Sequence, residues 1–118
     1  MFSTLKEGRV RYGLMLREDG FVMDDGTTAR RGPNHYVMTT TTAAAGQVMR
    51  HLEFVSQALH PDWDVRIMSV TEQWAQFAIA GPKSRDLLNG LLDNPLDNDT
   101  WAFMSCGPVT LQGVQGRL

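Results

Sequence analysis

Cysteine is almost missing from this chain. Cys106 is the single example, so no internal disulfide can form, and that usage fits a reducing compartment. No apolar run approaches the ~18 residues that a membrane-spanning helix needs. The opening MFSTLKEGRVRYG has no apolar stretch of the kind that makes a secretory leader. A cytoplasmic location and no membrane contact are the expectations. Basic residues are neither abundant nor clustered. Eleven Lys and Arg stand against thirteen Asp and Glu, for a net charge of −2. Nucleic acid is therefore not an expected partner, since phosphate contacts need a clustered basic face.

Several catalytic motifs are missing as well. There is no GxxxxGK[ST] and no GxGxxG after a strand, which removes the two common phosphate loops. His35, His51 and His60 are scattered, and none has a metal-binding spacing to another histidine or a carboxylate, so no metal site is expected. No GxSxG elbow supports Ser-His-Asp chemistry. No histidine neighbours Cys106 in sequence, and a small buried hydrophobe is its simplest role. Trp63, Trp74 and Trp101 suit core packing, although each ring can stack on a flat ligand. No repeat, low-complexity segment or linker divides the 118 residues, which predicts one domain over 1–118. Its hydrophobic fraction of 42% is ordinary for a globular protein, and the length suffices for a core.

What the chain does contain is organised around Tyr12–Gly26. Val10, Tyr12, Leu14 and Leu16 alternate with Arg9, Arg11, Met15 and Arg17, mostly at the period of two that marks a half-buried strand. Asp19-Gly20 supplies the positive φ of a tight hairpin. The return strand runs Phe21-Val22-Met23 and then places Asp24 and Asp25 in a row before Gly26. Neighbours on a strand face opposite ways, so by parity Asp25 shares a face with Phe21 and Met23. A carboxylate there should be hydrogen-bonded, neutral or held for a ligand. The simpler alternative is that Asp24-Asp25-Gly26 is a turn. Gly26 can also mark a bulge that re-aims Asp25.

The rest reads in order. Thr27–Arg31 extends the second strand, Gly32-Pro33-Asn34 turns, and His35–Thr41 makes a third strand. Thr41 or Thr42 caps a helix over Ala43–Leu59, with Val48, Met49, Leu52, Val55 and Leu59 at helical spacing. Hydroxyls at that terminus can alternatively hold an anion. Val65–Val70 and Trp74–Ala80 read as a fourth and fifth strand, the fifth apolar on both faces and so central. Gly81-Pro82 opens a second helix carrying Leu87, Leu88, Leu91 and Leu92. Asp97 or Asn98 caps a short turn, and Val109–Leu111 begins a sixth strand. The expected fold class is α+β, with order βββ-α-ββ-α-β and helices covering one face of a mostly antiparallel sheet. From the third strand on, that order is ferredoxin-like.

The blocks Tyr12–Leu16, Gly20, Asp24-Asp25 and Ala80-Gly81-Pro82-Lys83-Ser84-Arg85-Asp86-Leu87-Leu88 resemble the aminomethyltransferase (T-protein) superfamily. Gly8–Met15, Phe21–Gly26, Met38–Thr42, Asp97–Met104 and Cys106-Gly107 are most similar to the C-terminal region of the alpha subunits of heterotetrameric sarcosine oxidases. The resemblance spans nearly the whole chain, and its blocks keep their order and spacing. It implies a folate-binding fold in which tetrahydrofolate accepts a one-carbon unit. The second aspartate of the pair, Asp25, is the residue it sets against the pterin, as catalytic and binding group. Tyr12 is the one it packs against the folate. Flavin and NAD would belong to other parts of the complex, whose other subunits would be the partners. The segments that precede the hairpin and follow Leu118 in the family are expected elsewhere, so the resemblance implies a fragment holding half a folate site. Such a piece should bind folate weakly or not at all, turn nothing over, and pair with a second copy or a crystal neighbour through exposed apolar surface. Two further readings stand beside it, a non-catalytic ferredoxin-like interaction module and a piece of a glycine-cleavage or dimethylglycine-type aminomethyltransferase.

Overall fold

The computed structural model describes residues 2–118. It is a small α+β structure with antiparallel sheets. Strands β1 (Arg9–Leu16), β2 (Val22–Gly32) and β3 (His35–Met38) form one sheet in the order β1-β2-β3. Helix α1 (Ala45–Phe54) runs on into a π-helical turn at Val55–Leu59. Helix α2 (Ser84–Asn89) follows, then β4 (Pro108–Leu111) and β5 (Val114–Arg117) pair as a hairpin.

The chain divides into two compact units. One comprises Tyr12–Thr27 and Thr39–Gln76. Here the expected hairpin closes with Gly20 at φ +83° and its amide donating to the Arg17 carbonyl at 2.9 Å. Gly20 is where a residue without a Cβ is needed. Helix α1 buries Val48, which is 2% exposed. The helix begins later than the threonines, after a turn over residues 42–44, and its N-cap Ala44 makes no side-chain capping bond. Beyond it His60 stacks on Trp63, with ring centroids 3.9 Å apart.

The other unit comprises the chain up to Arg11, Thr28–Met38 and Phe77–Leu118. Strand β2 pairs with β3 from Thr28↔Met38 to Gly32↔His35 around the expected Pro33-Asn34 turn, with the register shifting between Arg30 and Gly32. Arg30 ties that end down, donating to the carbonyls of Leu5 at 2.8 Å and Pro33 at 2.7 Å. Arg9 donates to Ser105 Oγ and to the Phe103 carbonyl, each at 2.7 Å. Leu5 and Leu92 are buried, and Leu92 bridges to Leu111. Asp97 caps its turn as expected, its Oδ1 accepting the Thr100 amide and hydroxyl at 2.7 Å each.

The middle of the expected order differs. Neither Val65–Val70 nor Trp74–Ala80 forms a strand, so the ferredoxin-like βαββαβ order is not seen. Every residue from Thr71 to Ala80 is exposed, Phe77 at 84%. A strand exists only where a neighbouring strand pairs along it, and among the described residues neither run belongs to a sheet. Val114–Arg117 form β5, paired antiparallel with β4.

Candidate functional site

Asp24 and Asp25 lie inside β2, an eleven-residue strand, and so are not a turn. Adjacent strand positions send their side chains to opposite faces, and the two carboxylates meet different partners. Asp25 is half-buried, and the Tyr12 hydroxyl on β1 donates to its Oδ2. Asp24 is the buried member of the pair at 5% exposed. Its Oδ2 accepts the Thr41 amide and its Oδ1 the Thr41 hydroxyl, both at 2.9 Å.

Parity set Asp25 on an apolar face defined by Phe21 and Met23. In the structure Phe21 stands outside the strand and is 70% exposed, while Val22 is 57% exposed. Neither face is a core face at the start of β2, so burial there is decided by what lies beside each side chain. Thr41 covers Asp24, and the deeper burial falls on that aspartate.

The next two residues of β2 are held from the same side. Gly26 packs so closely on Thr39 that a Cβ would lie 2.0 Å from its carbonyl oxygen. The Thr27 amide donates to Thr39 Oγ1 at 3.0 Å, and the two hydroxyls are 2.9 Å apart. Two hydroxyls of the Thr39–Thr42 run are therefore engaged with β2. Thr41 Oγ1 also lies 3.4 Å from the Ala44 amide, at the long limit of a hydrogen bond.

Electrostatics separate the two carboxylates further. The hydrogen bond to Asp25 holds the Tyr12 hydroxyl above its ordinary pKa, helped by partial burial and by the charges of Asp25 and Asp24. Burial pushes the Asp24 carboxyl up. The Thr41 amide and hydroxyl, with the Asp25 amide, outweigh this and bring it below the usual carboxylate value. Asp24 is thus a satisfied structural anion. Asp25 is an accessible acceptor oriented by a phenol whose ring is itself half-exposed, with Tyr12 at 52%. Such a pair can take a proton from a ligand nitrogen or stabilise charge developing there. Neither residue lines the cavities of about 390 and 370 Å³, which lie beside Trp63 and Trp101 respectively. Among the described residues no cluster of three or more His, Cys, Asp or Glu could hold a metal, and no helix is long and apolar enough to cross a membrane.

The sequence profile of the GCVT N-terminal domain matches residues 1–118. The chain belongs to that family. Among proteins similar to this GCVT N-terminal domain chain is a sarcosine oxidase subunit alpha of Rhizobium meliloti (strain 1021). It is 53% identical over 112 residues, which are 95% of this chain and 11% of that protein. A sarcosine oxidase subunit alpha of Corynebacterium sp. (strain P-1) is 42% identical, over 99% of this chain and 12% of its own length. An aminomethyltransferase of Thermus thermophilus is 36% identical, over 98% of this chain and 32% of its own. The chain thus spans about a ninth to a third of the length of these relatives.

Tyr12 and Asp25, singled out from sequence, are brought together. Thr41 was read only as a cap or anion ligand, and its tie to Asp24 was missed. The signal was a run of four threonines one strand on from a consecutive acidic pair, one of which had to find a donor.

Proposed function

We propose that this chain is one side of a folate site within a larger aminomethyltransferase-like domain of a sarcosine oxidase alpha subunit. The single observation that carries it is the Tyr12–Asp25 pair, a half-exposed phenol ring bonded to an oriented carboxylate. The family match and the sarcosine oxidase relatives support it. The parent enzyme would oxidatively demethylate sarcosine to glycine and pass the one-carbon unit on as 5,10-methylenetetrahydrofolate. Its flavin and NAD chemistry and its partner subunits would lie elsewhere in a cytoplasmic complex. The two runs at Val65–Val70 and Trp74–Ala80 would then be strands completed by the rest of that domain, with helices over one face of the finished sheet.

The residues present fit the pterin. The exposed side of the Tyr12 ring offers a stacking surface, and Asp25 an acceptor for ring N–H groups. Tetrahydrofolate when bound supplies the nucleophilic nitrogen that accepts the carbon unit. Asp25 takes the proton that this nitrogen loses, or balances its positive charge. Tyr12 keeps its own proton, because Asp25 raises its pKa, and so goes on orienting the carboxylate.

The test is calorimetric titration of the polypeptide carrying the whole proposed domain with tetrahydrofolate. Asp25→Ala should abolish binding, and undiminished affinity would overturn the assignment. The 118-residue chain by itself should bind weakly and turn nothing over. Micromolar binding to it, lost in Asp25→Ala, would show that the half-site suffices.

A further inference from the structure

Asp24 is a buried carboxylate that the proposed chemistry does not use. Its position suggests what it does. Asp24 and Asp25 share a peptide plane in β2, and their side chains are held from opposite directions, by Thr41 beyond β3 and by Tyr12 on β1. On the C-terminal side of Asp25, Gly26 packs on the Thr39 carbonyl and Thr27 exchanges hydrogen bonds with Thr39, including Thr39 amide to Thr27 carbonyl at 2.8 Å. Asp25 is therefore bracketed, with the backbone fixed on both sides while its own half-buried side chain accepts the Tyr12 hydroxyl. A carboxylate pointing at a substrate needs such support, because one free torsion in the strand would swing its oxygens by more than a hydrogen bond tolerates.

We infer that Asp24 and Thr41 form a clamp that positions the Asp25 carboxylate, making both of them positioning residues of the site. The consequence for folate rests on the function proposed above, but the clamp can be read without folate. Either residue acts through Asp25 and touches no ligand. Two hydrogen bonds to a charged oxygen pair make the clamp strong enough to matter. The Thr41 hydroxyl is the half of it that substitution can remove while leaving the amide in place.

The experiment uses Thr41→Val, Asp24→Asn and the conservative Thr41→Ser in a Tyr36→Phe background, where Tyr12 is the sole remaining tyrosine. The first readout is the alkaline midpoint of tyrosinate absorbance, which reports whether Asp25 still sits at the Tyr12 hydroxyl. The second is the dissociation constant for tetrahydrofolate in the polypeptide carrying the whole proposed domain. Thr41→Val should lower the midpoint toward that of free tyrosine and weaken folate roughly tenfold, the order of one charge-assisted hydrogen bond. Thr41→Ser should restore both, and Asp24→Asn should fall between. A Tyr12 midpoint unmoved by Thr41→Val and Asp24→Asn, with stability alone reduced, overturns the clamp. A midpoint that moves while folate affinity does not leaves the clamp standing and removes folate as the ligand of Asp25.

Discussion

The backbone of Gly26 lies against the carbonyl of Thr39, with 2.0 Å between that oxygen and the place where a Cβ would stand. The obstacle is main chain and cannot rotate away. Gly26→Ala should therefore cost about 3 kcal/mol or more, the upper end for overpacking, read as a fall in the urea midpoint. Gly20 makes a control of a different kind. Its φ of +83° disfavours a side chain, but nothing lies within 4 Å. Gly20→Ala should cost about 1–2 kcal/mol, the left-handed penalty alone. The reverse ranking would show that β2 and Thr39 are not packed as described.

The Tyr12–Asp25 bond should be visible in the tyrosine itself. With Asp25 as the main cause, the folded-state pKa of Tyr12 is raised, so the bond stabilises the fold below the unfolded tyrosine pKa. That stability is lost as pH rises through the folded value. Asp25→Asn removes the charge but keeps an acceptor, and should bring the Tyr12 midpoint down partway. Asp25→Ala should bring it down further. Identical tyrosinate absorbance curves in all three proteins would rule the bond out.

How much of this was legible in the residues depends on how far each feature reaches along the chain. The Asp19-Gly20 hairpin, the Pro33-Asn34 turn and the Asp97 cap were readable because each is closed by atoms within a few residues. Tyr12 and Asp25 were reachable because they sit on consecutive strands. The tie of Asp24 was not legible because its donor, Thr41, is seventeen residues on and beyond an intervening strand. Alternation along one strand says which way a side chain points, never what waits there. The fourth and fifth strands failed for another reason. Their β-branched and aromatic residues express a preference for a pleated surface, and that preference becomes a strand only when a partner edge is present.

Acid should weaken the fold through two aspartates. Asp97 is held below the usual carboxylate value chiefly by the Thr100 amide, then by the Thr100 hydroxyl. In Asp24 the Thr41 bonds outweigh the effect of burial. In both cases the folded pKa is depressed, so the stabilisation is present above the unfolded carboxylate pKa of about 3.9 and is lost as pH falls through the folded value. Urea midpoints should hold level from neutral pH toward about 5 and then drop. Asp97→Asn should start lower and drop less steeply, since an amide cannot titrate. A wild-type acid limb matched by Asp97→Asn would mean that Asp97 gains nothing from its turn.

Phe77 is 84% exposed and Met68 73%, within two runs of strand composition that belong to no sheet among the described residues. Runs of strand composition with exposed apolar side chains favour association with a matching edge. If these runs are completed by further polypeptide, the same substitution should behave differently in two settings. In the 118-residue chain, Phe77→Lys should change monomer stability by less than about 0.5 kcal/mol, as expected for an exposed site. It should also suppress concentration-dependent self-association in sedimentation velocity. In the polypeptide carrying the whole proposed domain, Phe77 would be buried. There Phe77→Lys should cost roughly 1.5–3 kcal/mol, the worth of a buried phenylalanine. An equal loss in both settings would show that Phe77 already packs within this chain. An absence of effect in both would show that the run stays uncovered, and that the fifth strand is not part of the larger sheet.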